Sequence, residues 1–256
     1  THVPAHLLDD TLRVARKHGA TAHSLFLLAL TRARNELLGE RAETKPLRVN
    51  DFATLRPYAN RDLRDAFDVL VVPNQITVDP RWDDLSTLNA LSRHIREQKL
   101  GAILPELYRL SLYGFLARFM PTSLTAGLGF RLINKTDLAV TNPGPVPWQN
   151  ELERFGTVAI DDFVNFPHLL PPAKVVLILT TFRGVLRIVQ LYDPKTTPGG
   201  IEASLVQPFI RHLKRLVALL EQTPPSEGIP ILKVPGATRP RSVSPVRTRP
   251  KTRPSA

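Results

Sequence analysis

Apolar residues recur at helical spacing in several stretches of this chain, and β-rich runs lie between them. Leu7, Leu8, Leu12 and Ala15 fall on one face of a helix predicted over Pro4–Lys17, where Pro4 suits a first position and Gly19 a stop. A second helix is predicted from Ala22 to Leu38, with Thr21 as its N-cap and Gly39 as its end. Its segment Ser24–Leu30 is apolar nearly all round and should be buried. Leu85, Leu88, Leu91 and Ile95 place a third helix over about Leu85–Leu100, capped by Asp83 or Asp84. Pro105 opens a fourth, ending near Met120-Pro121, whose Leu107, Leu110, Leu112, Phe115, Leu116 and Phe119 read as ordinary core. Ile201–Glu221 is a last amphipathic helix.

The strands read less evenly. Pro46–Leu55 alternates imperfectly. Val69–Val72 and Gln75–Val78 are two pieces split by Pro73-Asn74, a break that suits an edge strand or a bulge. Gly156–Ile160 is a short strand. Lys174–Phe182 is strongly apolar, and Arg183-Gly184 joins it tightly to Val185–Tyr192, a hairpin signal. Leu138–Trp148 ends a strand in a turn that repeats proline around Gly144. Stiff loops at strand ends often carry sites, although prolines most often mark plain turns. These elements predict an α/β fold in two layers, a mixed and largely antiparallel sheet packed by helices.

Composition sharpens the picture at the C-terminus. The chain has 256 residues and a net charge of +11. Seven basic residues and no acidic ones lie between Ile229 and Ala256, where Thr-Arg-Pro occurs at 238, 248 and 252. The expected organisation is therefore a folded unit over residues 1–222 and a disordered, basic, proline-rich tail over residues 223–256. The remainder is only mildly basic. No uncharged apolar run reaches the ~18 residues of a membrane span, and no secretory signal pattern opens the chain. There is no cysteine, hence no disulfide, thiol nucleophile or cysteine metal site. A cytoplasmic location is the expectation. The chain starts at Thr1 and its one methionine is Met120, so Thr1 is either a processed start or a fragment boundary.

Familiar chemical motifs are missing. There is no phosphate-binding Gly-x-x-x-x-Gly-Lys-Ser/Thr, no His-Glu-x-x-His and no Gly-x-Ser-x-Gly. No two of the seven histidines are adjacent. His23, at the start of the second helix, reads as a partnered structural residue. The neighbouring carboxylates Asp161 and Asp162, at a strand end, point apart and read as solvated.

Four segments, in order, resemble the C-terminal half of the condensation-type acyltransferases. This is the chloramphenicol acetyltransferase-like superfamily, with peptide-synthetase condensation domains, polyketide-associated acyltransferases and wax ester synthase/diacylglycerol acyltransferases. Leu12–Ala33 is similar to the helix–turn–helix that opens the second half. Leu47–Pro57 resembles the strand ending in arginine. Leu138–Pro147 resembles the family's strand and Ser/Thr-Asn-x-x-Gly-type turn, and Leu179–Asp193 its last hairpin.

The resemblance implies one lobe of an enzyme that moves an acyl group, other than an amino-acyl group, from a CoA or carrier thioester to an alcohol or amine. No cofactor would be bound, the thioester being a co-substrate. Thr141, Asn142 and Gly144 would border the substrate channel, and Arg56 would hold the lobes or the loop; read without the resemblance, Arg56 suits a structural salt bridge and Asn142 a turn-forming side chain bonded to its own backbone. The family's His-His-x-x-x-Asp signature is absent, so no catalytic residue and no metal ligand is assigned to this chain. The implied partner is an N-terminal lobe carrying that motif, on the same native chain or on another. A lone second lobe should expose an apolar face where the first would dock. Two other readings stand beside this one. One is a non-catalytic binding module of the same fold. The other is an anionic-polymer or nucleic-acid binder acting through the tail, which lacks base-stacking aromatics.

Overall fold

Six strands build the main sheet. The computed structural model describes residues 1–42, 46–54, 71–98, 104–125, 127, 138–145, 154–155, 157–164, 175–195 and 199–225. The strands are β1 (His2–Val3), β2 (Leu47–Thr54), β3 (Val71–Val78), β4 (Leu138–Pro145), β7 (Val175–Phe182) and β8 (Val185–Tyr192), in the order β1-β8-β7-β4-β2-β3. Two short strands, β5 (Arg154–Phe155) and β6 (Val158–Ala159), pair separately. β2, β4 and β7 run parallel in the centre, and the outer pairings are antiparallel. The sheet is therefore mixed, with antiparallel pairs in the majority.

Five longer helices accompany it: α1 (Ala5–Lys17), α2 (Ala22–Leu38), α3 (Asp84–Glu97), α4 (Leu104–Ala117) and α5 (Gln207–Gln222). α2 is the central one. It packs against α1, α3 and α5, which is why Leu25 to Leu30 are all buried, on every side of the helix. Its Thr21 cap accepts a hydrogen bond from the Ser24 amide at 3.1 Å, as its position predicts. Asp83 does the same for Ser86 at the start of α3, at 2.8 Å. That bond to a free helix amide holds the Asp83 carboxyl below its usual range.

The core lies between this helical layer and one face of the sheet. Leu47, Val49, Val140, Leu177, Leu179, Leu186 and Ile188 meet Leu28, Phe209, Leu213 and Leu216 there. Each fully buried leucine contributes about 1.5–3 kcal/mol over an exposed one. The opposite face carries a smaller cluster, Ala139, Val176 and Ile178 with Val189 and Leu191. Strand alternation sorts these sets without exception along β7.

Three local expectations need adjusting. The two pieces around Pro73 form one strand, β3, which tolerates the proline because it lies at the sheet edge. The last helix begins with a π-type turn over Glu202–Val206 before Pro208 starts regular α-helix. α4 is the larger correction. Leu112, Phe115, Leu116 and Phe119 are exposed rather than core, as is Tyr108, and the side chains of Leu107 and Leu110 lie outside the described ones. The Arg183-Gly184 hairpin has the left-handed geometry that a two-residue turn demands, with φ of 48° and 75°. Arg56 and the residues after 225 lie outside the described residues.

Candidate functional site

The parallel strands β2, β4 and β7 all end on the same side of the sheet. In open α/β sheets ligands bind beyond the carboxyl ends of the strands. At that end the inward-facing position of β2, after Leu47 and Val49, is Asp51. A carboxylate in an apolar series needs partners, because its burial is costly without them. Asp51 is 8% exposed. One carboxylate oxygen accepts the Phe52 backbone N–H at 2.8 Å. The other lies 3.0 Å from His23 Nε2. That N–H does not point along the carboxylate, so the contact is electrostatic rather than an aligned hydrogen bond.

His23 sits in the first turn of α2, which carries it over the strand ends. Its Nδ1 lies 3.3 Å from Asn142 Nδ2 on β4. The contact joins the ring to the β4 turn. Helix start, β2 and β4 are thereby tied together by three side chains far apart in sequence. In this arrangement the ring bridges β2 and β4.

A second histidine stands in the same field. His94 on α3 lines a cleft of about 240 Å³ between α3 and the edge strand β3, with Ile76, Val78, Trp82, Leu91 and Glu97. Burial lowers its pKa, and the charges of Glu97 and Asp51 offset only part of that. Near neutral pH this imidazole is therefore uncharged.

The two neighbours Thr141 and Asn142 serve opposite faces. Asn142 turns to the helical layer, whereas Thr141 continues the Ala139 side, the face opposite the main core. The pairing of β4 with β7 slips between Thr141 and Gly144, and Gly144 then stands opposite Thr180. Thr180 is 1% exposed, and among the described residues its hydroxyl has no hydrogen-bond partner. A buried unpaired hydroxyl costs about 1–3 kcal/mol, so its presence at a strand end calls for a reason. Across the β7–β8 pair it faces Arg187, whose guanidinium contacts Asp162 and lies 5.7 Å from the Phe182 ring centre.

Of the sequence candidates, Thr141, Asn142 and Gly144 therefore meet at one strand end, and Arg56 lies outside the described residues. Asp51, His94 and Thr180 were not among them. Asp51 had a signal, a polar residue at a position where its strand is otherwise apolar, whereas Thr180 only ends a continuous apolar run. Among the described residues no cluster of three or more His, Asp or Glu could hold a metal ion.

No protein-family model matches the sequence, and no curated protein does. Solved structures match in fold. The epimerization domain from the third module of tyrocidine synthetase B superposes with a TM-score of 0.53 and 14% identity, over 87% of this chain and 48% of that one. A condensation domain that mediates chain release from the enacyloxin polyketide synthase gives 0.53 and 15%, over 91% and 42%. The trichothecene 15-O-acetyltransferase of Fusarium sporotrichioides gives 0.55 and 14%, over 83% and 46%. The fold is that of condensation domains and of this acetyltransferase, and the chain spans less than half the length of each.

Proposed function

We propose that this chain is the second lobe of a condensation-type acyltransferase. The observation that carries the proposal is one of coverage. Matches take in more than four-fifths of this chain and less than half of each neighbour. The reaction would join an acyl thioester, of CoA or of a carrier, to an alcohol or amine. A base removes the acceptor's proton, the acceptor attacks the thioester carbonyl, the C–S bond breaks, and the thiol leaves with a proton. The base belongs to a His-His-x-x-x-Asp motif, which this sequence does not contain.

This lobe's part is positional. Thr141 and the Gly144 backbone border the channel, and Thr180, with its buried hydroxyl, backs Gly144 from the neighbouring strand. Asn142 holds the turn to α2 through His23. Preorganised donors near a developing oxyanion are worth far more than flexible ones.

The test is thiol release from an acyl-CoA in the presence of a simple alcohol, with the chain alone and with a lobe bearing the motif. Activity that needs both, and is lost when the motif's second histidine becomes alanine, supports the proposal. A chain that binds acyl thioesters and stays inert with every such lobe is a binding module instead.

A further inference from the structure

The cleft between α3 and β3 has no part in the strand-end site, and its lining has a chemistry of its own. Its floor is apolar: Ile76, Val78 and Leu91 are buried there. Two flat rings line the same space, the Trp82 indole and the His94 imidazole. Trp82 is 42% exposed, although its backbone is fixed. Its amide donates to the Asp79 carbonyl at 3.3 Å, and its carbonyl accepts from Arg32 Nη2 at 2.6 Å. Among the described residues no ring or cation packs on the indole. An anchored tryptophan beside an apolar floor offers a ligand contact area at little cost in entropy.

Size and charge choose the ligand. The cleft measures about 240 Å³. A cavity of about 150 Å³ holds benzene, so a ring with substituents fits here. Arg93 and Glu97 both line the cleft, one turn apart on α3, and their charges offset each other. Burial leaves the His94 imidazole uncharged near neutral pH. An anion would meet Glu97, with Asp51 adding to the same field at His94. A cation would meet Arg93. Neither sign is favoured, so the fitting ligand is neutral. Its shape follows from the rings. A planar aromatic gains from stacking on an indole what an aliphatic chain of equal area does not. Apolar pockets with a few convergent polar groups are the usual form of a small-molecule site.

We propose that the α3–β3 cleft binds a small, uncharged aromatic compound, whose ring stacks on Trp82 over Ile76, Val78 and Leu91. This site does not depend on the acyl-transfer reading.

Proton–nitrogen NMR of the full chain tests it. The sequence has two tryptophans, so two indole cross-peaks arise, and the one missing in Trp82→Ala belongs to Trp82. Benzyl alcohol should move that peak and saturate in the millimolar range that so small a ligand reaches. Benzoate, benzylamine and hexanol should each bind at least fivefold more weakly. Trp82→Ala removes an exposed side chain, and Ala90→Phe fills the cleft from α3. Both variants should keep the far-ultraviolet circular dichroism of the parent. Both should bind benzyl alcohol at least fivefold more weakly, read by saturation transfer to the ligand. An unmoved Trp82 peak overturns the proposal, as does unchanged affinity in either variant that keeps its fold. Hexanol binding as tightly as benzyl alcohol overturns it too, assigning the cleft to an aliphatic chain. Equal binding of benzoate or benzylamine overturns the choice of a neutral ligand.

Discussion

Asn142 Nδ2 approaches His23 Nδ1 to 3.3 Å, across 119 positions of sequence. The contact ties the Pro-Gly-Pro turn of β4 to the first turn of the central helix. Asp51 closes the group from β2. The rim of the candidate channel is thereby held by one buried and two half-buried side chains, a condition for presenting donors in fixed positions.

The three should act as a unit. Replacing His23 by leucine leaves the Asp51 carboxylate buried without its partner and should cost about 1–3 kcal/mol. D51N should cost less in the His23→Leu background than alone. Urea unfolding of the single and double variants measures the coupling. Strict additivity would show that the residues do not interact.

His94 sets a pH dependence. Its folded-state pKa is lowered by burial, so the unfolded chain takes up a proton first as pH falls through about 6.5, its ordinary value. Stability should therefore decline as pH drops below that point. Thermal unfolding between pH 7.5 and 5.5 should show a shallower decline in His94→Gln. Equal slopes in the two proteins would remove His94 as the source.

Helix α2 depends on its cap and its packing. Thr21→Ala removes the acceptor for the Ser24 amide and should cost about 1 kcal/mol. Leu28→Ala opens a cavity at a residue with 0% exposure and should cost about 2–5 kcal/mol. Chemical denaturation gives both, and the core change should be clearly the larger.

At the rim, Thr180→Val keeps the volume and removes the unpartnered hydroxyl. Stability should be unchanged or higher, since no hydrogen bond is lost. Transfer activity of the completed enzyme should fall if the hydroxyl serves the substrate. A marked loss of stability would show instead that the hydroxyl is satisfied within the fold.

Much of the fold was legible because local signals agreed with one another. Thr21, Gly39, Asp83 and Arg183-Gly184 each occupy the position that their backbone chemistry suits. α4 misled for a physical reason. Periodicity reports that a helix has an apolar face and says nothing of what covers it. Leu112, Phe115, Leu116 and Phe119 repeat like core and stand in the open. The site was legible only in part. Asn142 could be picked out from its turn, but its bond to His23 is made by tertiary packing that no local pattern encodes. Asp51 was hidden in an irregular strand. The mixed sheet could be inferred from element types, whereas the parallel centre of β2, β4 and β7 emerges only from the pairing.

The central claim is that this lobe takes part in acyl transfer and does not supply its base. Its most direct test is the rate of thiol release from an acyl-CoA with an alcohol acceptor, measured for the chain alone and for the chain with a His-His-x-x-x-Asp lobe. The account predicts no release above background alone, and turnover in combination that falls at least tenfold with Thr180→Val or Asn142→Ala. Turnover by the isolated chain, or a combined rate indifferent to both substitutions, would contradict it.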